Sequence, residues 1–413
     1  MSRGQRPRLA IFAGTPRLLS TAHSLGAETV FVHARGGQIP RMAELADHVI
    51  AADFSDAGGV HSLLAPMHAV RPFSHVLSLT ESGLLPAAQV AARLQVPGVP
   101  LGTVQVLQDK RRMRELLNAR GISSVRAAPV GSETDLGKFC REVGGPVILK
   151  PATGTGSHAV FVVPGPDDAG SAWHQFVRAG GEDALAEEYL DGPEISAEAF
   201  SRSGRHTIVA LTEKLVSSSF VELGHTVPAS VDDALRNNVC VLVQKFLDAV
   251  GLCDGPSHTE IRLTARGPRI VESHNRIGGD KIRELVHRAY GVDLVMLTVQ
   301  CALGLPMPLI PSTPRRGAAV RFLAPPPGVI RRISIPEAPE LADGTAKIHL
   351  DVAVGDRVEP VRESDDRSGH ALAEGSDAVE AAQRCERIAA QVVIETQSAP
   401  GTNTCDHGLS SAT

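Results

Sequence analysis

The sequence is organised around residues 269–280, which read RIVESHNRIGGD. Two apolar residues lead into Glu272, and a second carboxylate, Glu260, lies twelve positions upstream. The residues between them include TARGP at 264–268, which has the Gly-Pro chemistry of a turn. Two short β-type runs joined by such a turn predict a β-hairpin that brings Glu260 and Glu272 close together.

Two converging carboxylates repel each other unless a cation lies between them. Hard cations such as Mg²⁺ prefer oxygen ligands and usually take one or two carboxylates together with phosphate oxygens. Arg276 follows Glu272 and would be able to point a guanidinium group at a transferring phosphate. The alternative is a surface hairpin with solvated charges, and a second stretch of sequence argues against it.

That second stretch is a glycine-rich segment at residues 146–163, PVILKPATGTGSHAVFVV. A buried strand ends at Lys150, a loop of small residues follows, and a second strand comes next. The small residues allow backbone N–H groups to approach an anion, and Lys150 adds a positive charge. A Walker A loop would need a following helix and a G-K-[ST] motif, so the segment instead predicts a β-hairpin lid over nucleotide phosphates. The loop residues predicted to bind the cofactor are Thr153, Gly154, Thr155, Gly156 and Ser157.

Composition excludes some functions. The chain has 413 residues, a formal net charge of −5 and 3% aromatic residues, so neither nucleic acid nor a membrane surface is an expected partner. The six cysteines are scattered without a C-x-x-C pair, which is typical of reduced thiols in a cytoplasmic protein. No apolar run is long enough to span a membrane, and we expect a cytoplasmic protein.

Strands alternate with helices in the first hundred residues, which predicts a parallel sheet in a Rossmann-like α/β unit. The first turn lacks G-x-G-x-x-G, so dinucleotide binding is not expected there. Glu81 follows the predicted strand 75–79, at the kind of strand end where ligands bind in open α/β sheets. An ordinary helix cap is an equally good interpretation of the same residues.

Proline and glycine punctuation divides the remainder of the chain. Residues 96–102 and the Pro- and Arg-rich segment 311–330 mark two boundaries. Further patterns predict helices over 103–118 and 280–303. We therefore predict an N-terminal domain at 1–102, a central domain at 103–310, a C-terminal domain at 311–396 and a disordered tail at 397–413.

Taken together, the motifs resemble the ATP-grasp superfamily, and more closely its L-amino-acid ligase branch, which includes dipeptide ligases. The resemblance covers essentially residues 8–395 and rests on blocks that occur in the expected order. These blocks are Asp109-Lys110 at a helix start, Val147–Lys150 with its loop, Glu187–Glu194, Glu222–His225 and the Glu260/Glu272 hairpin. The resemblance implies an α/β ATP-grasp fold with an N-terminal Rossmann-like domain and a small α+β C-terminal domain.

The resemblance also implies roles for residues at matching positions. Lys110 and Lys150 would contact the phosphates of ATP. The base and ribose would be held by Glu187, Glu188, Tyr189, Leu190 and Glu194. Glu260 and Glu272 would bind two Mg²⁺ ions, for which Mn²⁺ would be able to substitute, and Arg276 would stabilise an acyl phosphate and the tetrahedral species that follows it.

A third group of residues would bind the substrates. In the resemblance Glu222 holds a substrate amine and His225 hydrogen-bonds the phosphorylated intermediate, although a surface loop with two polar side chains is an alternative. His274 occupies a position where many family members have a metal-binding Asn. Imidazole is a poor Mg²⁺ ligand, so His274 is expected to face the substrate or to hydrogen-bond within the hairpin.

Glu81, Gly278, Gly279 and Asp280 complete the predicted substrate set. Asp280 either selects a charged substrate or simply belongs to a solvated helix start.

The sequence thus predicts an ATP-dependent ligase that joins a carboxylate to an amine through an acyl phosphate. The expected partners are small-molecule carboxylate and amine substrates, and a homodimer is possible. Two alternatives are a carboxylase or formate-activating enzyme of the same superfamily and a non-catalytic nucleotide-binding regulatory protein.

Overall fold

A computed structural model describes residues 6–36, 39–154, 156, 158–217, 220–337 and 339–397. Of the predicted disordered tail, only Gln397 is among the described residues, and it ends a strand. No described helix combines the length and the apolar character needed to cross a membrane.

The N-terminal part forms the predicted parallel sheet. Its strands are β1 (Arg8–Phe12), β2 (Glu28–Ala34), β3 (His48–Ala52) and β4 (His75–Leu77), in the order β3-β2-β1-β4. Helices α1 (Pro16–Ser24), α2 (Ala57–Val70) and α3 (Glu81–Leu94) connect them. Because α3 begins just beyond the carboxyl end of β4, Glu81 lies at the edge of the sheet where a ligand site is expected.

A small antiparallel sheet carries the glycine-rich segment. Two helices lead into it, α4 (Leu101–Leu107) and α5 (Lys110–Ala119), and two pack beside it, α6 (Glu133–Val143) and α7 (Ala169–Arg178). The strands are β5 (Ala127–Pro129), β6 (Val147–Pro151), β7 (Phe161–Val163) and β8 (Ala184–Glu188), in the order β5-β8-β6-β7. Strands β6 and β7 pair antiparallel, so the predicted β-hairpin around the glycine loop is confirmed.

The remaining elements form a larger sheet, several helices and a small outer sheet. The strands are β9 (Glu194–Arg202), β10 (Arg205–Val216), β11 (Glu222–Val227), β12 (Gly255–Thr264), β13 (Gly267–His274), β14 (Gly317–Phe322), β15 (Gly328–Ser334), β16 (Ala346–Leu350), β17 (Arg357–Val358), β18 (Gly369–Gly375) and β19 (Val393–Gln397). The helices are α8 (Asp233–Val250), α9 (Ile282–Tyr290), α10 (Leu294–Ala302), α11 (Pro339–Ala342) and α12 (Ala378–Gln391).

Within the described chain the larger sheet has eight strands in the order β13-β12-β9-β10-β11-β14-β18-β16, and β17-β15-β19 form the outer sheet. Strand β14 pairs antiparallel with β11 from Gly224↔Arg321 to Val227↔Ala318. The sheet therefore continues across the boundary predicted at residue 311. As a result, the C-terminal segment lies directly beside the predicted substrate residues of β11.

The hairpin predicted from residues 260–272 is also confirmed. Strands β12 and β13 pair antiparallel, and Glu260 lies directly opposite Glu272 in their register. Side chains alternate between the faces of a strand, and a bulge follows Glu260. Ile261 and Ile270 are buried in the core that α8 forms against the sheet. The hairpin thus has an apolar side against α8 and a polar side that carries the carboxylates.

Two helix predictions were too long. The helix expected over 103–118 is broken into α4 and α5, because the side chain of Asp109 accepts hydrogen bonds from the backbone N–H groups of Arg111 and Arg112 and caps α5. The helix expected over 280–303 is broken into α9 and α10. Gly291, at φ +73°, ends α9 in the left-handed conformation that glycine adopts readily.

Gly224→Ala tests the junction between β11 and β14. A methyl group at Gly224 would lie 2.5 Å from the carbonyl oxygen of Val320 and 2.8 Å from Cδ of Arg321, so the two strands would have to separate. We expect a loss of about 1–3 kcal/mol in the free energy of unfolding, measured by thermal and urea denaturation. The control is Gly102→Ala, whose methyl group would meet nothing within 4 Å. Equal stability of the two variants would contradict the prediction.

Candidate active site

The polar face of the larger sheet gathers charged side chains from four adjacent strands. Alternation along each strand places every second residue on this face. The residues are Glu194, Ser196 and Glu198 on β9, Thr212 and Lys214 on β10, His258, Glu260 and Arg262 on β12, and Glu272 and His274 on β13. Most of these residues have less than a tenth of their surface exposed, so their charges must be balanced locally.

A cavity of about 170 Å³ lies between this face and the small antiparallel sheet. It contains most of the residues predicted to bind the nucleotide. Its lining includes Lys110, Lys150, Thr153, Gly154, Gly156, Glu187, Glu188, Tyr189, Leu190 and Glu194, together with Glu222, Glu260 and Glu272. Thr155 and Ser157 lie outside the described residues. The structure therefore brings the predicted cofactor and metal residues to one cavity.

Lys110 connects the glycine loop to the hairpin. Its Nζ donates to the carbonyl oxygen of Gly154 at 2.6 Å and lies 3.2 Å from Oε2 of Glu272. The lysine thus stands where the loop and a carboxylate meet. A phosphate group at this position would find a cation and the small residues of the loop together.

Lys150 is buried and hydrogen-bonded to Glu187, with 2.8 Å between its Nζ and Oε2 of Glu187. Burial lowers the pKa of Lys150, and Glu187 partly restores it. Burial raises the pKa of Glu187, but the charges of Lys150 and Arg114 outweigh burial and lower this pKa to about 2. Glu187 is therefore an ionised partner of Lys150.

Arg114 of α5, which sequence analysis missed, is a second cationic partner of Glu187. Its Nε donates to Oε1 of Glu187 at 3.0 Å, and its Nη2 donates to Oε2 at 3.3 Å and to the carbonyl oxygen of Ile270 at 3.0 Å. Both oxygens of Glu187 accept hydrogen bonds from cations, and its contact with the base or ribose stays a prediction. The geometry favours a role in positioning Lys150.

The two hairpin carboxylates are each held by a lysine and a histidine. Glu260 Oε1 lies 2.7 Å from Nζ of Lys214 and 3.2 Å from Nε2 of His258. Glu272 Oε1 lies 3.2 Å from Nε2 of His274, and Lys110 approaches the other oxygen. Burial raises the pKa of both carboxyl groups. Lys214 beside Glu260 and Lys110 beside Glu272 lower it by more than burial raises it, so both groups are ionised.

Lys214 lies between three carboxylates. Its Nζ is 2.6 Å from Glu194, 2.7 Å from Glu260 and 3.2 Å from Glu222. Burial lowers the pKa of Lys214, but Glu260, Glu194 and Glu222 together raise it well above its ordinary value. This single cation joins a residue predicted to bind the nucleotide, one predicted to bind metal and one predicted to bind the substrate.

The donor set suits a hard divalent cation. Glu260 and Glu272 offer carboxylate oxygens from directly opposed positions, while the described residues contain no group of three His, Cys, Asp or Glu side chains arranged to hold a metal alone. A cation at this place would take its other ligands from phosphate or water. That combination is the one that Mg²⁺ usually adopts in nucleotide sites.

A buried pair beside Glu260 was also missed. Nδ1 of His258 lies 2.9 and 3.0 Å from the two oxygens of Glu198 on the neighbouring strand β9. Burial lowers the pKa of His258, but Glu198 and Glu260 raise it to about 9. Gly278 packs closely against this pair, because a methyl group there would lie 2.9 Å from Nδ1 of His258.

Arg276 is tied to the N-terminal domain. Its Nε donates to Oε2 of Glu81 at 2.7 Å, and Nδ1 of His274 lies 3.2 Å from the same oxygen. Burial raises the pKa of Glu81, but the hydrogen bonds of His274 and Arg276 lower it to about 2. His274 therefore lies between Glu272, with which it forms a hydrogen bond inside the hairpin, and Glu81.

A second cavity of about 370 Å³ adjoins the first beside these residues. Glu81 and His274 line it, and Lys110, Gly154 and Glu272 line both cavities. The two spaces thus meet at the end of the first cavity that carries Lys110 and Glu272, the carboxylate predicted to bind metal.

Two further predicted substrate residues, His225 and Asp280, contact the C-terminal segment. His225 is buried, and neither ring nitrogen has a hydrogen-bond partner among the described residues. Burial lowers the pKa of His225, so the imidazole is neutral. Asp280 is paired with Arg367, which sequence analysis did not single out. Gly279 is exposed and its place for a side chain is open.

Comparisons with known protein families agree with this architecture. The ATP-grasp domain matches residues 143–284, the ATP-grasp N-terminal domain matches residues 19–98, and the L-amino acid ligase C-terminal domain 2 matches residues 321–397. These matches support the resemblance that was drawn from the sequence motifs.

Curated relatives are distant. The uncharacterized protein y4rH of Sinorhizobium fredii is 29% identical over 310 residues, which cover 72% of this chain and 63% of that protein. The alanine–anticapsin ligase of Bacillus subtilis is 25% identical over 52% of this chain and 50% of its own length. The L-arginine-specific L-amino acid ligase of Bacillus subtilis is 24% identical over 64% of this chain and 66% of its own length. The matches thus span about half to two thirds of the relatives' length.

Solved structures show the same fold. An L-amino acid ligase from Bacillus licheniformis superposes with a TM-score of 0.80 at 22% identity and covers 96% of this chain and 100% of that one. The phosphoribosylglycinamide synthetase from Anaerococcus prevotii superposes with a TM-score of 0.73 at 19% identity. The match covers 95% of this chain and 100% of that one. A biotin carboxylase domain from Hydrogenobacter thermophilus, solved with MgADP and bicarbonate, superposes with a TM-score of 0.70 at 16% identity. The match covers 95% of this chain and 91% of that one.

Arg114→Met tests whether this arginine positions Lys150. The change leaves Glu187 buried with one cation fewer, and we expect a loss on the order of 3 kcal/mol in unfolding free energy. We also expect affinity for Mg-ATP to fall roughly tenfold, as measured by calorimetry at a temperature where the variant is folded. Arg112→Met is the matched control, since Arg112 lies on the same helix with its side chain 57% exposed. Unchanged affinity in Arg114→Met would contradict the assignment.

Proposed function

We propose that this chain, which is an ATP-grasp protein with an L-amino acid ligase C-terminal domain, is an ATP-dependent ligase that joins a carboxylate to an amine. The observation that carries the proposal is the arrangement at one end of the nucleotide cavity. Lys110, the glycine loop and the Glu260/Glu272 pair meet there. The predicted substrate residue Glu222 lines this cavity, and Glu81 and His274 line the adjoining one. ATP would occupy this cavity with its phosphates toward the hairpin.

In the first step an oxygen of the substrate carboxylate attacks the γ-phosphorus of ATP. The bond to the β-phosphate oxygen breaks, ADP leaves, and an acyl phosphate forms. Two Mg²⁺ ions held by Glu260 and Glu272 would supply neutralisation of the phosphate charge. Lys110 and Lys150 orient the phosphates, and Arg114 and Glu187 hold Lys150 in place. Phosphoryl transfer depends mainly on such positioning and electrostatic stabilisation.

In the second step the substrate amine attacks the acyl carbon. Phosphate leaves with the electron pair of the broken C–O bond and takes up the proton that the amine loses, and an amide remains. Glu222 would hold the amine before attack, and the neutral His225 would be able to hydrogen-bond the phosphorylated intermediate. Arg276 would stabilise the negative charge that develops, and Glu81 sets the orientation of Arg276.

Water must be excluded while the acyl phosphate exists, because hydrolysis would waste the ATP. The hairpin β6–β7 carries the glycine loop over the cavity, and Lys110 binds that loop at Gly154. We propose that this hairpin covers the phosphates during the reaction.

The C-terminal match favours an amino-acid ligase over a carboxylase or a formate-activating enzyme, since it describes an L-amino acid ligase domain. A non-catalytic regulatory protein is disfavoured because Lys150, Glu260 and Glu272 line one cavity, and Arg276 is also present and bound to Glu81 of the adjoining cavity. The substrates would be small carboxylates and amines, with amino acids foremost. A homodimer, a cytoplasmic location and use of Mn²⁺ remain predictions.

Release of ADP with Mg-ATP and a matrix of single and paired amino acids tests the proposal. We expect turnover that requires a pair, with dipeptide formed in equal amount and identified by mass. Glu272→Gln should lower kcat by about 10²-fold or more, because the neutral amide binds the cation weakly. Glu359→Gln, whose side chain is 63% exposed on the C-terminal segment, is the control and should keep wild-type activity.

Two results would count against the ligase. Turnover with bicarbonate or formate alone would indicate the carboxylase or formate-activating alternative. Tight ATP binding without turnover in any pair would favour the regulatory protein.

A further inference from the structure

Arg367 of the C-terminal segment binds a predicted substrate residue. Its Nη2 donates to Oδ1 of Asp280 at 2.7 Å, and its Nη1 donates to Oδ2 at 2.9 Å. Two parallel hydrogen bonds between a guanidinium and a carboxylate fix both position and direction. The Arg367 side chain is 9% exposed, whereas that of Asp280 is 26% exposed. About a quarter of the Asp280 side chain therefore remains exposed beside the paired guanidinium.

The same guanidinium group also contacts Glu222, another predicted substrate residue, and the ring of Phe322. Nη1 donates to the carbonyl oxygen of Glu222 at 3.2 Å, and Nε donates to the carbonyl oxygen of Ser364 at 2.7 Å. The guanidinium carbon lies 3.8 Å from the centre of the Phe322 ring. That ring in turn packs perpendicular to the imidazole of His225, at 5.9 Å between centres.

The backbone around Asp280 has an uncommon conformation. Asp280 has φ +46° and Lys281 has φ +69°, which residues with a side chain adopt at a cost. The fork of Arg367 holds the carboxylate of this turn, and Oδ2 lies 3.9 Å from Nε2 of His225. Asp280 is thus presented beside His225 in one defined orientation.

The pairing also decides the charge of this part of the site. Burial raises the pKa of Asp280, but the nearby His225 and the two hydrogen bonds from Arg367 lower it, so the carboxylate is ionised. Its negative charge is compensated by the guanidinium, and His225 is neutral. A substrate side chain that meets this surface therefore encounters a neutral ion pair rather than a free charge.

We infer that Arg367 is a specificity-determining residue that compensates Asp280, so that the ligase accepts an uncharged substrate side chain here in preference to a cationic one. The inference rests on the proposed function and deepens it by assigning a substrate class. Arg367 acts through Asp280 and is a positioning residue. The interpretation of Asp280 as selecting a charged substrate by itself is replaced by a role for the pair.

The test compares Arg367→Met, Asp280→Asn and the double variant. Arg367→Met leaves an uncompensated carboxylate, so kcat/KM for lysine relative to norleucine should rise roughly tenfold. Asp280→Asn leaves an uncompensated guanidinium, so kcat/KM for glutamate relative to norleucine should rise instead. The double variant should return both ratios toward the wild-type values. Arg332→Met is the control, since Arg332 is 63% exposed and pairs with Glu395 in the outer sheet.

A purely structural role would lower activity with all substrates equally and leave the ratios unchanged, which would overturn the inference. A wild-type preference for lysine over norleucine would overturn it as well. If Arg367→Met does not fold, the nearly isosteric Asp280→Asn decides alone. The shift in Tm caused by each amino acid with Mg-ADP is measured in parallel. This shift reports charge preference even if no pair of amino acids supports turnover. Failure of the ligase proposal can therefore be distinguished from failure of the inference about Arg367.

Discussion

The site depends on the balance of charge on the polar face of the eight-stranded sheet. Glu194, Glu222 and Glu260 would repel one another in a space with little water, and the ammonium group of Lys214 lies between them. Lysines and histidines compensate the neighbouring carboxylates in the same way. Because Glu260 and Glu272 each have a lysine and a histidine as partners, the protein's own side chains hold them in their opposed positions. The shape of the predicted cation site thus depends on these four side chains.

Local patterns in the sequence were sufficient for much of the fold. The hairpin around Glu260 and Glu272, the glycine-rich hairpin β6–β7 and the parallel N-terminal sheet were predicted, because turn residues and strand alternation act over a few positions. The ends of elements were less accessible. The break before α5 depends on the capping side chain of Asp109, and an otherwise continuous helical pattern concealed it.

The partners of individual side chains were not predictable from one sequence. Arg114 and Glu187 are 73 positions apart, and Arg367 and Asp280 are 87 apart, so nothing local marks either pair. For Glu198 a signal was present. It shares one face of β9 with Glu194 and Ser196, and these residues alternate with the apolar Ile195 and Ala197. A polar face on a strand that is buried on both sides indicates a buried polar site. Pairing with His258 then required the sheet order, which only the structure provides.

The continuity of the sheet across residue 311 has a consequence for how such proteins diversify. Strand β14 completes the edge of β11, and β18 and β16 follow it. Removing the C-terminal segment would expose the backbone of β11, and an exposed edge strand invites aggregation. The segment therefore cannot be exchanged as an independent module. New substrate ranges are more accessible through single replacements in the loop before β18, where a few side chains can change while the strands that carry them stay in place.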